Sequence, residues 1–252
     1  MDIKQLKDYL DSLAESLKNK DRKSLNARLR SLISVFPFNE YEYVLMFLLD
    51  RSVIGFKEYE TLRNDYVSSN RYLDLYGLAP RIFGEIWGHE HIKDLDKRFI
   101  KPDRSIDPDY SGQYDLWIKD VRVEVKASRA INKKKRGNLV AKALQYGSSE
   151  PMWMNFQQIK LDVCDVFIFV GVWTNQIGYW ILSNDEVKSN KYLSHQHRGG
   201  IEYQIGITDK NITDFDAHRV SPSEITNQVA QKGRSEQRTF ELALKKARYG
   251  YV

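Results

Sequence analysis

Tyr114-Asp115-Leu116-Trp117-Ile118, then Lys119-Asp120, then Val121-Arg122-Val123-Glu124-Val125-Lys126 is the stretch that decides how this chain is read. In the second run every odd position is valine and every even position is charged. Successive side chains of a strand point to opposite faces, so Arg122, Glu124 and Lys126 share one face while the valines bury the other. Lys119-Asp120 reads as a short hairpin turn that folds the strand carrying Asp115 back against the second one. Two carboxylates and a lysine at one sheet edge can hold a divalent cation and steer water onto a phosphate.

The flanking sequence supplies a sheet for that hairpin. Val166-Phe167-Ile168-Phe169-Val170-Gly171-Val172-Trp173 is an unbroken apolar run, expected as a central strand covered on both faces, and Ile177 to Leu182 pairs with it across Thr174-Asn175-Gln176. Arg81 to Trp87 reads as a helix after Pro80. Gly137 to Lys160 reads as loop and helix, with Met152 to Lys160 spaced as a core helix; the other reading of that helix brings Gln157 or Lys160 to a phosphate. The expected class is α/β, a mixed central sheet flanked by helices.

Upstream, Ile3, Leu6, Leu10, Leu13 and Leu17 recur at helical spacing, Lys18 to Asp21 breaks the pattern, and Leu25, Leu29, Leu32, Ile33 and Phe36 form a second apolar face. Asn39 is a plausible N-cap for a third helix through Tyr43 to Leu49, and Lys57 to Tyr66 forms a fourth. The domain reading is a helical region at 1–68, a core at 69–220, and a basic helical extension at 221–252. The Ser235 to Ala247 helix of that extension carries Arg238, Lys245, Lys246 and Arg248, suited to a DNA backbone or to a contact between subunits.

At 252 residues the chain is long enough for one sizeable core. No apolar run approaches the roughly 20 residues of a membrane span, so no membrane partner is expected. Met1-Asp2-Ile3-Lys4-Gln5 lacks the apolar segment of a secretory signal, and the single cysteine, Cys164, excludes an internal disulfide framework. Both point to the cytoplasm. The neighbours of Cys164 are apolar, which marks a buried structural thiol rather than a nucleophile. Net charge is +5, and its distribution is uneven. Lys119 to Lys142 holds nine Lys and Arg against two acids, a local +7, and seven basic against three acidic residues follow from Arg219 onward. Such clustering suits a polyanion, although a run such as Lys133 to Arg136 also suits a solvated loop.

Asp115, eight intervening residues, then Glu124-Val125-Lys126, followed by the buried Val166–Trp173 strand, resembles the PD-(D/E)XK nuclease superfamily. Its type II restriction endonucleases are the nearest in size and layout. The resemblance covers about residues 70–220. It implies a restriction-endonuclease-like core in which Asp115 and Glu124 bind Mg2+ and Lys126 is the catalytic lysine. Tyr114 stands where the motif's proline would be, a position often substituted in the family. Many members add a helix glutamate near the metal, and Glu85 matches that place, with Glu90 close by. The implied activity is Mg2+-dependent, sequence-specific cleavage of double-stranded DNA by a homodimer, whose two-fold axis matches a symmetric site.

Candidate DNA contacts are Arg129, Lys133, Lys134, Lys135 and Arg136 for the backbone. Arg198 and Gln204, in a polar, glycine-containing segment, suit base edges. A repair, junction-resolving or mobile-element nuclease keeps the fold and changes the task; a non-catalytic nucleic-acid-binding protein makes the hairpin structural. His89-Glu90-His91 and His195-Gln196-His197 could together ligate zinc, but without the cysteines or HExxH spacing usual for it. There is no GxxxxGK[ST] loop, so no nucleotide cofactor is expected, and no GxSxG elbow for a serine nucleophile.

Overall fold

The computed structural model describes residues 3–31, 40–195 and 202–234. Arg198 and the Ser235–Ala247 segment lie outside them. The described strands are β1 (Leu116–Ile118), β2 (Val121–Arg129), β3 (Ile131–Asn132), β4 (Met152–Ile159), β5 (Val166–Val172), β6 (Ile177–Ser183), β7 (Leu193–His195), β8 (Tyr203–Thr208) and β9 (Arg219–Val220). The chain divides into two compact units. The first comprises Met1–Leu78, Ile131–Glu150 and Trp173–Gln176, and the second holds the rest.

Four helices build the first unit: α1 (Ile3–Glu15), α2 (Asn19–Ser31), α3 (Glu40–Asp50) and α4 (Phe56–Ser69). Their apolar stripes meet in one cluster that includes Leu10, Leu17, Leu25, Leu45, Leu48 and Leu62. Glu42 is buried beside it and accepts a hydrogen bond from Arg63 Nε at 2.8 Å, so its charge is compensated. The helices expected at 1–68 all lie in this unit, which extends to Leu78 and also takes in two later segments. One of them contains Lys133 to Arg136, exposed and shaped by Asn132 Oδ1, which accepts the Lys134 and Lys135 amides at 2.9 and 3.2 Å.

In the second unit a mixed sheet runs β1-β2-β5-β6-β9. β1 and β2 are antiparallel, β2 and β5 parallel, β5 and β6 antiparallel. β5 is buried along its whole length, as its apolar run predicts. The hairpin between β1 and β2 places Ile118 opposite Val121, and both loop residues take left-handed backbone, Lys119 at φ 48 and Asp120 at φ 63. That is the type I′ geometry, which matches strand twist but strains residues with a Cβ. Replacing Lys119-Asp120 with Asn-Gly is expected to raise stability by about 1 kcal/mol, read as a higher denaturant midpoint at constant slope.

Each face of this sheet has its own cover. Residues 80–95 are continuously helical: a π-helical turn (Ile82–Trp87) leads into α5 (Gly88–Leu95). Gly88 faces Val125 and Ala127, so this helix lies on the valine face of β2. Phe83, Trp87, His91 and Tyr179 stack in sequence, with centroids 5.0, 4.8 and 5.9 Å apart, and His91 Nε2 hydrogen-bonds Tyr179 Oη at 2.7 Å. The column fixes the helix on the sheet.

On the other face Phe156 packs edge-on against Phe169 at 5.0 Å. Phe156 belongs to β4, which pairs with β8, and β8 with β7, in a second antiparallel sheet. The core helix expected over Met152 to Lys160 is therefore wrong. Met152, Met154 and Phe156 are buried and alternate with the half-buried Trp153 and Asn155, the period of a strand. Met152, Phe156 and Ile159 also fall at helical spacing, and only the pairing of Trp153 with Thr208 through Phe156 with Ile205 separates the two readings.

Gly171 lets the layers close. A Cβ there would lie 2.7 Å from Trp180 Cζ3 and 3.0 Å from Met154 Sδ, both in a packed core. Gly171→Ala is expected to destabilise the protein by about 2 kcal/mol in equilibrium unfolding. No helix among the described residues is long and apolar enough to cross a membrane.

Candidate active site

Asp115 stands immediately before β1, its amide donating to the Val123 carbonyl at 3.0 Å. The β1–β2 register pairs Leu116 with Val123. The pairing ends there, and Asp115 lies within electrostatic reach of Glu124. Two donors meet Asp115 Oδ2: the Val125 amide at 2.8 Å and His89 Nε2 at 3.3 Å. Burial pushes this carboxyl toward the neutral form, but the His89 hydrogen bond and charge, the Val125 amide and the Lys126 charge outweigh it. The net shift is downward, so Asp115 is held as an anion.

Glu124, on β2, is 6 % exposed. Lys126 Nζ lies 2.5 Å from its Oε1. Burial is the main force on its carboxyl, and the Asp115 charge adds to it. The Lys126 charge opposes both, and the group still titrates at about 7 instead of 4.5. The two carboxylates thus sense each other directly, and their environments push them in opposite directions.

The cover of the site is aromatic and apolar. Burial, then the charges of Asp115 and Glu124, raise the Tyr110 hydroxyl above its ordinary value, which puts that ring within electrostatic reach of the pair. Cys164 is buried, and burial followed by the Glu124 charge raises its thiol, as suits a structural cysteine. Tyr114, in the place of the motif's proline, is buried and donates its hydroxyl hydrogen to Asp107 Oδ2 at 2.8 Å.

Several residues expected at the site lie elsewhere. Glu85 is on the π-helical turn with its side chain 59 % exposed, and Arg81 Nε donates to it at 2.8 Å. Glu90 pairs with Lys93 at 2.8 Å. Among the described residues no three His, Cys, Asp or Glu side chains converge as a metal cage would. His89 and His91 diverge, one to Asp115 and the other to Tyr179, which removes the His-x-His zinc pairing at this position.

Arg129, expected on a DNA backbone, is 7 % exposed with its guanidinium carbon 3.9 Å from the Phe83 ring centroid. It ends β2 inside the unit, where a cation–π contact accommodates its charge. Arg122 leaves the carboxylate pair for Asp165, with Nη2 to Oδ1 at 3.2 Å and its amide to Oδ2 at 2.8 Å, tying β2 to the start of β5. Gln204 is half-buried on β8, its amide oxygen accepting from Asn155 Nδ2 at 3.0 Å. Lys133 to Arg136 are exposed.

His89 is the member of the site that sequence reasoning assigned to another role. Its contact with Asp115 spans 26 positions and depends on how the 80–95 helix crosses β2, for which local spacing holds no signal.

The donor set suits a magnesium-type ion. Such a cation binds through one or two carboxylates and keeps its remaining positions for water and substrate phosphate. Asp115 Oδ1 and Glu124 Oε2 take part in none of the described hydrogen bonds or ion pairs, so each carboxylate has one oxygen engaged and one open. No family model, curated protein or solved structure matches the chain.

Proposed function

We propose that this chain is a Mg2+-dependent endonuclease of the PD-(D/E)XK, restriction-endonuclease-like class. In this reading it hydrolyses phosphodiester bonds in double-stranded DNA at specific sequences and works as a homodimer in the cytoplasm. One observation carries the reading. A buried glutamate, held back from ionising by burial and by a neighbouring aspartate, stands beside that aspartate with a lysine on it. A sheet needs no such arrangement for solubility, and it costs stability wherever Glu124 must ionise. A divalent cation offsets the cost, because it favours the charged form of both carboxylates at once. Perturbed carboxylates with a specific charge partner mark candidate catalytic groups.

The assignment of roles follows from the donors. Asp115 and Glu124 would hold the ion through their open oxygens. An ion held there would supply Lewis-acid polarisation of the phosphate and a bound water of lowered pKa. Lys126 has three donors, one of them directed at Glu124. The others can orient a water toward the phosphorus and neutralise charge that builds on the phosphate oxygens. The exposed Lys133 to Arg136 supply the positive charge that a polyanion seeks.

A non-catalytic nucleic-acid-binding protein is the rival reading, favoured by the closeness of the Lys126–Glu124 ion pair, which could serve structure alone. A supercoiled plasmid incubated with and without Mg2+ separates them. Discrete linear fragments that require the metal are expected. A smear favours a repair-type or other non-specific nuclease of the same fold. Metal-independent gel shifts with no cutting would support the rival.

A further inference from the structure

We propose that His89 is a positioning residue for Asp115: it engages Oδ2 together with the Val125 amide and so leaves Oδ1 directed to the cation. The inference rests on the reading of Asp115 and Glu124 as the metal-holding pair, and adds a member that the motif does not contain.

The geometry supports it from both sides. Asp115 sits at the end of a three-residue strand, where a carboxylate held by one amide alone could still swing about its side-chain torsions. A second donor, on a different element, removes that freedom. His89 Nε2 approaches the same oxygen at 3.3 Å. Its own place is set from two directions. Gly88 lies against β2, where a Cβ would stand 3.5 Å from Ala127 Cβ, an ordinary contact. The Phe83–Trp87–His91–Tyr179 column then fixes the helix on the sheet.

The π-helical turn immediately before Gly88 also contributes. It closes with the Gly88 amide on the Phe83 carbonyl, five residues back, so each later side chain is rotated from where an α-helix would put it. Glu85, within the turn, pairs with Arg81 at the surface, while His89, after it, meets Asp115. The helix thus brings a hydrogen-bond donor to the pair where the family pattern implied a third carboxylate. Partners that hold a metal-binding carboxylate in place typically matter by about 10- to 100-fold in metal affinity.

The test is Mn2+ binding to the DNA-free protein by isothermal titration calorimetry, run beside metal-dependent plasmid cleavage. His89→Ala is expected to weaken Mn2+ binding about 10- to 100-fold and to raise the Mn2+ concentration needed for half-maximal cleavage by the same factor. His89→Gln, which keeps an N–H donor, should recover most of the affinity. His91→Phe, which loosens the same helix without touching Asp115, should bind Mn2+ like the wild type.

Equal losses in His91→Phe and His89→Ala would reduce the effect to helix stability and overturn the proposal. A loss that His89→Gln fails to repair would make His89 a direct ligand and overturn it as well. Undiminished affinity in His89→Ala overturns the role of His89 alone. A wild type that binds no Mn2+ overturns the nuclease reading beneath it.

Discussion

Lys126→Ala is expected to lower Mg2+-dependent cleavage by about a thousandfold or more, while the protein still folds and still retains DNA in a gel shift with Ca2+ in place of Mg2+. Two losses combine. The ammonium group that faces Glu124 Oε1 at 2.5 Å would, in the proposed mechanism, also neutralise the charge that builds during attack on a phosphate. Its charge is, in addition, the strongest of the forces that draw Glu124 toward ionisation, so its removal lets the glutamate keep its proton to higher pH. The variant should therefore show a slower rate at saturating metal and also need more metal to reach it. Raising the pH should restore part of the metal requirement and none of the rate. Cutting at wild-type speed by Lys126→Ala would remove the lysine from the mechanism and leave the ion pair a structural one.

The second large effect is a fall in stability as pH rises from about 4.5 to about 7 in metal-free buffer. Glu124 titrates at about 7 in the folded chain against 4.5 when unfolded. Over that window the folded state binds the extra proton, and stability declines with pH wherever the folded state holds more protons. This contribution is complete below the unfolded value and is lost as pH passes through the folded one. Titration at about 7 in place of 4.5 corresponds to about 3 kcal/mol. Asp115 works in the opposite sense, since its carboxyl is held below the ordinary value, and it acts at lower pH, where its stabilisation is lost on acidification. Glu124→Gln has no proton to lose and should flatten the decline between pH 4.5 and 7. Saturating Mg2+ should flatten it in the wild type. Urea midpoints at several pH values measure both. An equal slope in wild type and Glu124→Gln would mean that Glu124 ionises freely and is not under the strain on which the nuclease reading relies.

The same contrast runs through the chain. The β1–β2 hairpin, β5 and β6 were legible because each is set by local pattern: alternation, an unbroken apolar run, a two-residue turn. The four N-terminal helices were legible from spacing for the same reason. β4 was not, because Met152, Phe156 and Ile159 satisfy helical spacing and Met152, Met154 and Phe156 satisfy that of a strand; β8, more than forty residues away, decides between them. Charge was the least reliable guide. Arg129 carries the same charge as Lys133, yet one lies under Phe83 and the other in solvent. Composition counts both alike, since burial is a property of the packed unit.

By its own pattern the sequence determined that the strand after Asp115 folds back on β2, with Lys126 on the glutamate's face. Strand alternation and a two-residue loop are local physics that the residues carry with them. Tertiary structure alone decided that Glu124 is buried enough to resist ionisation and that His89 meets Asp115. Those outcomes depend on which layers cover the sheet and how a helix crosses it, and these are set by contacts between residues far apart along the chain.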